Sequence, residues 1–463
     1  MKLRIFEWLA IASLVAPPSI SRAADLTTLV NFNGTNGADP FGVLITDANG
    51  NLFSTTGGGG AYPGGPYGGF GTVLEITKTS SGYASTPTTL ASFNGTDGEG
   101  PFGGLIADAN GNLFGVTAHG GANGLGTVFE IAKTSSGYAS TPTTLVSFNG
   151  TDGAYPFGTL IADANGNLFG TTSGGGANVN GGTVFEIAKT SSGYASTPTI
   201  LYTFCAKTNC TDGAFPYAGL IADANGNLFG TTYLGGAYAF GTVFEIAKTA
   251  RGYVRTPTTL ASFKGTDGEA LSTGLIADAN GNLFGTTSAG GVNGHGTVFE
   301  VAKTARGYVR TPTTLVSFKG TDGDQPTGGL IADAKGNLFG VTHYAGANGH
   351  GTVFEVAKTA RGYVRTPTTL VSFKGTDGAY PTGGLIADAN GNLFGTTQMG
   401  GAYGDGTVFK LQTFAGLPGH PNCVAKSVST LVQKYGGLNA VTTALGFPSV
   451  NALHDAIMAF CAG

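Results

Sequence analysis

The sequence predicts an all-β fold, a seven-bladed β-propeller, followed by a small α-helical module. A heptad close to Asp-Ala-Asn-Gly-Asn-Leu-Phe recurs seven times at intervals of 55 to 61 residues. Each interval also contains short segments rich in Val, Ile, Thr and Phe, and one unit is divided between the two ends of the repeat region. The heptads begin at Asp47, Asp108, Asp163, Asp223, Asp278, Asp333 and Asp388. Such a period marks one supersecondary unit repeated in tandem.

The sixth unit shows how each repeat divides into four strands. Residues 329–333, 337–342, 351–357 and 368–373 have strand composition and are bounded by Gly, Pro, Asn or Asp. Apolar residues occupy both parities of these segments, so both faces of each sheet are expected to be buried. Four-stranded sheets covered on both faces by identical neighbours are the blades of a propeller.

The ends of the repeat region predict that the ring closes on itself. The seventh unit has a third strand at 406–412, but no fourth strand follows it. The missing strand is found at 26–32, which closely matches 368–373. Pairing these end segments would complete the seventh blade and leave no open sheet edge.

Residues 1–23 have the pattern of a signal peptide, with a basic start, an apolar stretch and a small-residue cleavage site at Ser21-Arg22-Ala23. Their removal changes the formal net charge from −4 to −6, which argues against nucleic-acid binding. No later segment is long enough to cross a bilayer as a helix. We therefore expect a secreted monomer, with the periplasm or the cell surface as alternative locations.

Four cysteines are expected to form two disulfides in an oxidising compartment. Cys205 and Cys210 fall in a loop insertion, where a metal pair is the alternative, although no further ligands lie nearby. Cys423 and Cys461 are expected to close a helical tail at 414–463, after a propeller at 24–413. Its three predicted helices are 424–435, 438–445 and 450–460.

The repeated Gly-Leu-Ile-Ala-Asp-Ala-Asn-Gly-Asn-Leu-Phe-Gly-Thr-Thr, followed by a Gly-Gly loop and Gly-Thr-Val-Phe-Glu, resembles the GloVer tandem repeat over residues 26–412. Proteins of that family are bacterial, exported and described as "choice-of-anchor", because their C-terminal sorting signals differ. The resemblance implies an extracellular or cell-surface location. It brings no known activity and no catalytic residues. The C-terminus here has no apolar span with a basic end, unlike a sorting signal.

The loops between the second and third strands differ most among the seven units. They are expected on one face together with the loops that join successive blades, and divergent loops on a rigid scaffold commonly carry recognition. Unconstrained drift is the alternative explanation. The candidate binding residues there are Tyr62, Tyr67, His119, Tyr233, Tyr238, His343, Tyr344 and Tyr403. Their rings could stack on sugars or anchor a protein partner; Tyr155, Phe215, Tyr217 and Tyr380 lie in the adjoining loops.

Two further features lie on the opposite face. Arg251, Arg306 and Arg361 mark a basic segment of three blades that could meet an anionic glycan, although a charge run is usually a solvated surface. The heptads resemble the first half of a calcium loop but lack its downstream Glu. Turn geometry explains their Asp and Asn residues without a metal. No cofactor is expected, and calcium remains the alternative to test.

These features lead to three hypotheses for function. The first is a secreted, non-catalytic propeller that binds an extracellular glycan or protein through its variable loops. The second is a polysaccharide lyase or hydrolase with its site at the central channel, and the third is a structural cell-surface or matrix protein. No Ser, Cys, His or carboxylate recurs at a catalytic spacing, so no catalytic residue is assigned. A cluster of His, Tyr and carboxylate at the channel would favour an enzyme, whereas an aromatic strip would favour binding.

Overall fold

The computed structural model describes residues 24–65, 68–177, 180–413, 428, 438–445, 447 and 449–462. Ala24–Gln412 forms one compact unit. It contains seven antiparallel sheets, each with the strand order first, second, third, fourth. The prediction of a seven-bladed β-propeller is confirmed.

The four principal strands recur in every blade with nearly constant length. The first strands are Ile45–Thr46, Ile106–Ala107, Ile161–Ala162, Ile221–Ala222, Ile276–Ala277, Ile331–Ala332 and Ile386–Ala387. The second strands are Leu52–Thr56, Leu113–Thr117, Leu168–Thr172, Leu228–Thr232, Leu283–Thr287, Leu338–Tyr344 and Leu393–Met399. The third strands are Thr72–Ile76, Thr127–Ile131, Thr183–Ile187, Thr242–Ile246, Thr297–Val301, Thr352–Val356 and Thr407–Thr413. The fourth strands are Thr88–Ser92, Thr143–Ser147, Thr199–Thr203, Thr258–Ser262, Thr313–Ser317, Thr368–Ser372 and, for the seventh blade, Ala24–Asn31.

Smaller elements complete the blades. In blades six and seven, Asp324–Pro326 and Ala379–Pro381 pair with the far end of the second strand, so the innermost strand is divided in two. The first strand itself has two residues in every blade, which is shorter than predicted. A two-stranded hairpin also lies between the third and fourth strands of the first six blades. The hairpin strands are Lys78–Thr79 with Gly82–Tyr83, Lys133–Thr134 with Gly137–Tyr138, Lys189–Thr190 with Gly193–Tyr194, Lys248–Thr249 with Gly252–Tyr253, Lys303–Thr304 with Gly307–Tyr308, and Lys358–Thr359 with Gly362–Tyr363.

The hydrophobic core lies between neighbouring blades rather than inside any one of them. Between the first two blades, Phe53 and Phe93 of one sheet pack with Leu113 and Phe129 of the next. The rings of Phe93 and Phe129 meet edge to face at 4.9 Å, a favourable aromatic geometry. Equivalent clusters recur around the ring. Each blade therefore depends on its neighbours for stability, as the apolar residues on both faces of its strands predicted.

The seventh blade is completed by the strand from the other end of the unit. Ala24–Asn31 pairs with Thr407–Thr413. Val30 and Phe32 are fully buried, in one cluster with residues of the first blade and with Phe394 of the seventh. Circular closure through the N-terminal strand is confirmed.

We predict that Phe32 stabilises the closing blade as strongly as its counterpart stabilises a blade within the ring. Phe32 and Phe263 occupy equivalent positions and are both 0% exposed. Phe32→Ala and Phe263→Ala should each lower the free energy of unfolding by about 3–5 kcal/mol, as measured by denaturant titration. A negligible effect of Phe32→Ala beside a large effect of Phe263→Ala would contradict closure.

Strand spacing depends on matched residue sizes across the second and third strands. Gly230 faces Phe244 in the fourth blade, and a Cβ added at Gly230 would lie 2.6 Å from Cζ of that ring. The first blade has Ser54 opposite Leu74 at the same register. The smaller residue of the second strand, glycine, thus faces the larger phenylalanine, and the larger serine faces the smaller leucine.

This pairing predicts a compensating double variant. Gly230→Ser should lower the melting temperature because the new side chain overlaps the Phe244 ring. Adding Phe244→Leu should restore part of that loss, relative to the sum of the two single effects, since it recreates the first blade's pair. A double-mutant cycle by thermal denaturation measures the coupling. Strictly additive effects would show that the two positions are independent.

The described residues after the propeller form helices Leu438–Leu445 and Val450–Ala462. The Ser449 hydroxyl accepts a hydrogen bond from the backbone N–H of Ala452 at 3.1 Å, as an N-cap does. The predicted helix at 424–435, the side chains of the predicted Cys423–Cys461 pair, and residues 1–23 lie outside the described part of the chain.

The predicted local disulfide between Cys205 and Cys210 is present. It lies beside the short 3₁₀ helix Thr208–Cys210, in the connection from the third blade to the fourth. Among the described residues, no helix is long and apolar enough to cross a membrane.

Candidate functional site

The propeller has two faces of different character. On the variable face, each loop between the second and third strands contacts the connection that enters the same blade. In the first blade, for example, Gly57 donates its backbone N–H to the carbonyl oxygen of Asp39 at 2.8 Å. The opposite face carries the seven heptad turns and the six two-stranded hairpins.

The heptad turns use their carboxylates internally. Oδ1 of Asp163 accepts the backbone N–H groups of Asn165 and Asn167, both at 2.9 Å. Its Oδ2 accepts the side-chain amide of Asn167 at 3.1 Å, and Asn167 in turn accepts the N–H of Lys189 at 2.9 Å. In the part of the chain that the structure describes, no group of three or more His, Cys, Asp or Glu could hold a metal ion. The hydrogen bonds of Asp163 and Asn167 account for these residue types by turn geometry.

Each blade contributes one residue of equivalent register to the central opening on the variable face. Together these residues, here called the opening ring, border a cavity of about 250 Å³, and all are half-buried. The opening ring consists of Phe41, Phe102, Phe157, Tyr217, Ser272, Thr327 and Thr382. Four consecutive blades thus present aromatic rings, and the other three present hydroxyl groups.

The aromatic members form a continuous arc. The ring centroids of Phe41 and Phe102 are 4.9 Å apart, those of Phe102 and Phe157 are 5.8 Å apart, and those of Phe157 and Tyr217 are 5.4 Å apart. Gly57 makes room for this aromatic arc, because a Cβ at that position would overlap the Phe102 ring. The arc offers a broad, half-exposed apolar surface beside the opening.

The hydroxyl members are held by the next blade. Thr327 donates its hydroxyl to the carbonyl oxygen of Pro381 at 3.2 Å, and Thr382 donates to that of Pro40 at 3.4 Å. A hydroxyl that donates one hydrogen bond keeps acceptor capacity. These oxygens, with Ser272, can therefore accept hydrogen bonds from a ligand across the opening from the aromatic arc.

Two residues before each member of the opening ring, the backbone adopts left-handed geometry. Gly100 fills this position in the second blade with φ of 63°. The other six blades place a non-glycine residue there, which is energetically costly. These residues are Asp39, Tyr155, Phe215, Ala270, Gln325 and Tyr380, with φ between 53° and 60°. The position keeps divergent side chains on the variable face despite the strain, which is a common property of functional surfaces.

A histidine–tyrosine cluster lies at the junction of blades six and seven. The rings of His343 and Tyr344 are 4.3 Å apart, and both contact Tyr380, at 5.4 Å and 5.3 Å. His350 lies 5.8 Å from the same tyrosine ring. Burial lowers the pKa of His343, although a hydrogen bond to the carbonyl of Pro381 partly opposes this shift.

Carboxylates lie at the junctions on either side of this cluster. Burial, and then the nearby charge of Asp405, raise the pKa of Asp39 at the junction of blades seven and one. At the junction of blades five and six, Nδ1 of His295 is 3.1 Å from Oδ1 of Asp324. The opening ring is thus polarised, with aromatic side chains on blades one to four and hydroxyl side chains on blades five to seven. The histidine–tyrosine cluster and these two junctions lie on its hydroxyl side, from blade five round to blade one.

The structure places the candidate residues in several different parts of the propeller. His119 lies 6.4 Å from Phe157 of the aromatic arc, and Tyr233 lies 5.3 Å from Tyr217. His343 and Tyr344 belong to the histidine–tyrosine cluster. Three other candidates are well exposed at the loops, namely Tyr62 at 47%, Tyr238 at 58% and Tyr403 at 67%. Tyr67 lies outside the described residues, and Arg251, Arg306 and Arg361 are exposed on the hairpins of the opposite face.

Sequence reasoning missed most of the aromatic arc. Phe41, Phe102 and Phe157 were not among the candidates, because the candidates came from the loops that differ most among the seven units. A signal was present, since each follows a proline and precedes a glycine at the same register in its unit. At this register the later units have Ser or Thr instead of an aromatic residue. The position therefore does not have to be apolar, so it is not part of the hydrophobic core.

His343 provides a pH-dependent prediction. Because its folded pKa is lowered, its contribution to stability is complete above the unfolded value of about 6.5 and is lost as pH falls below it toward the folded pKa. His343→Ser, which copies Ser173 and Ser288 of other blades, should make the melting temperature fall less between about pH 7 and pH 5. NMR titration of His343 should show a lowered midpoint, and equal acid sensitivity of parent and variant would contradict this cause.

The fold and these surfaces define a closed β-propeller repeat protein with a polarised opening ring. The chain belongs to the Gloeobacter/Verrucomicrobia repeat family, whose family model matches residues 19–244 and 254–444. The resemblance to the GloVer repeat is thereby confirmed. No curated protein matches the sequence.

Solved structures with similar folds have very different sequences. An ulvan lyase, from a new polysaccharide lyase family, is 12% identical with a TM-score of 0.50 and covers 82% of this chain and 95% of its own. Puromycin hydrolase is 11% identical with a TM-score of 0.50, covering 78% of this chain and 50% of its own. A putative 6-phosphogluconolactonase from Bacteroides uniformis is 12% identical with a TM-score of 0.42, covering 70% and 86%. At such low identity, the similarity to the ulvan lyase and to puromycin hydrolase shows the fold alone.

Proposed function

We propose that this protein is a glycan-binding propeller and that a sugar docks against the aromatic arc at the central opening. The observation that supports this most is the unbroken contact of Phe41, Phe102, Phe157 and Tyr217 opposite the hydroxyl members of the opening ring. The apolar face of a sugar ring packs on aromatic side chains. The hydroxyl groups at the edge of the sugar ring need polar partners. Ligand sites usually combine an apolar surface with a few such polar groups.

The volume of the opening and the absence of charge on the opening ring limit the kinds of ligand that it could bind. Its volume of about 250 Å³ lies below the roughly 300–1,000 Å³ of pockets that hold drug-sized ligands, and it suits a single sugar unit presented end-on. None of the seven residues of the opening ring carries a charge. The proposal therefore favours an uncharged terminal sugar over a protein partner, which usually needs a wider contact surface.

A polysaccharide lyase or hydrolase is the second candidate, because the histidine–tyrosine cluster lies at the variable face. A neutral histidine and a tyrosine hydroxyl are suitable general acid–base groups. However, no contact in the described chain joins a carboxylate to this cluster, and Asp39 and Asp324 lie at the junctions on either side of it. The hydrogen bond to the carbonyl of Pro381 orients the His343 ring but supplies no charge. The combination of His, Tyr and carboxylate expected of an acid–base site is therefore incomplete, and binding is the better supported of the two.

The proposal places this activity outside the cytoplasm. The Cys205–Cys210 disulfide supports that location, because structural disulfides persist mainly in oxidising compartments. The N-terminal signal pattern is a second, sequence-based support. A purely structural matrix role would need no polarised opening.

Replacing the aromatic arc by residues that other blades already use provides the test. Phe102→Thr, Phe157→Thr and Tyr217→Ser together copy the positions of Thr327, Thr382 and Ser272. The fold should survive because blades five to seven form with these residues. On a glycan array, the variant should lose the signals that the parent protein gives, since three of the four stacked rings are removed and only Phe41 remains.

Two measurements make the result decisive. Tyr62→Ser with Tyr403→Ser is the matched control, since these exposed rings lie outside the aromatic arc, and it should keep binding. Chromatography of the bound glycan separates the two candidate functions, because a binding protein leaves its length unchanged and a lyase or hydrolase shortens it. Retained binding by the triple variant with a native melting curve would refute the proposed site.

A further inference from the structure

A groove runs along the outer edge of the propeller between blades three and four. Its cavity measures about 710 Å³, compared with about 250 Å³ at the central opening. One wall is the outer strand Thr199–Thr203 of the third blade, and the other is the hairpin segment of the fourth blade with Arg251 and Arg255. This groove is a separate site, because none of its lining residues belongs to the opening ring.

The cations of this groove differ in their partners. Lys248 lies 5.5 Å from the centroid of the Tyr253 ring and 3.9 Å from Oδ2 of Asp163, so its charge is already engaged. Arg251 and Arg255 are exposed, and neither forms an ion pair with any residue that the structure describes. Their guanidinium groups are available to a ligand.

A similar arrangement recurs on the next blade, and the same arginines are present on the sixth. Between blades four and five, two cavities of about 300 and 220 Å³ are both lined by Arg310. On the sixth blade, Arg365 reaches back to donate from Nη1 to the carbonyl oxygen of Thr314 in the outer strand of the fifth blade, at 3.3 Å. The basic grooves are defined here by Arg251, Arg255, Arg306, Arg310, Arg361 and Arg365.

We propose that the basic grooves bind an anionic polysaccharide, one whose sulfate or carboxylate groups meet successive arginine pairs. A guanidinium recognises such oxyanions through paired hydrogen bonds, and the threonine and asparagine side chains of the walls suit sugar hydroxyls. Two carboxylates, Asp163 and Glu186, also line the groove, and the Lys248 ammonium group lies near both of them. The sites are recessed, which disfavours a flat membrane. Tyr253 is covered by the Lys248 ammonium group, so the groove lacks the free ring on which single-stranded nucleic acid stacks.

The first three blades provide natural serine substitutions for every arginine. Ser136 stands where the fourth blade has Arg251, and both donate a backbone N–H to the preceding threonine hydroxyl, at 3.3 Å and 3.2 Å. The turn therefore does not depend on the guanidinium group. Arginine-to-serine variants should fold as the parent does.

Dextran sulfate is the probe, with neutral dextran of equal length beside it, measured by isothermal titration with the full mature chain. The parent should bind the sulfated polymer, and binding should weaken as salt is added because the contacts are ionic. Arg251→Ser, Arg306→Ser and Arg361→Ser together should weaken it by roughly tenfold or more, about 1.4 kcal/mol. The six-arginine variant should abolish it. The aromatic-arc variant should bind dextran sulfate like the parent, so this proposal and the proposed function fail separately.

A matched variant distinguishes a site from net charge. Lys78→Gln, Lys133→Gln and Lys189→Gln remove three charges from the same hairpins of the first three blades, and binding should change little. Equal losses from the lysine and arginine variants would overturn the proposal, as would failure of the parent to bind dextran sulfate. Tighter binding to single-stranded DNA or to phosphatidylglycerol vesicles would overturn the choice of a polysaccharide.

Discussion

Packing between neighbouring sheets is the constraint on which the rest of this structure depends. Each blade buries Phe and Leu side chains on both faces, so a blade without two neighbours exposes one of them to water. The seventh blade meets this requirement by taking its outer strand from Ala24–Asn31. Glycine at position 230, and its equivalents, lets the ring of the facing phenylalanine lie close enough to fill the space between sheets. The loops above the sheets are free to vary because they contribute little to this packing.

What could be read from the sequence follows from this division. The tandem heptads, the both-parity burial and the divided terminal unit predicted the propeller and its closure, because each depends on contacts that repeat. The opening ring could not be assembled from the sequence in the same way. Its members come together only when the ring closes, as the hydrogen bond between Thr382 and Pro40 shows across 342 positions of sequence. The divided inner strands and the hairpins of the opposite face were missed because strands of two or three residues are too short to show the residue alternation that identifies a strand.

The two proposed sites use different kinds of variation among repeats. On the variable face, neighbouring blades diverge, which turns seven equivalent positions into an aromatic side and a hydroxyl side. On the outer edge, blades four to six instead share the same arginines, and those of blades four and five line similar cavities. Divergence among the residues of the opening ring creates one asymmetric site from seven positions. Repetition of the arginines instead places similar sites side by side. A polymer with regularly spaced anionic groups can use the second arrangement, while a single terminal sugar needs the first.

The pairing of Ala24–Asn31 with Thr407–Thr413 also sets the order of events during biosynthesis. The ribosome makes the closing strand before any complete blade and its partner strand after all the others. The closing strand therefore cannot pair until Thr407–Thr413 has been made. A chain that stops early keeps an unpaired strand edge, which is a template for pairing with another chain. Completion of the ring thus reports that the whole repeat region has been translated.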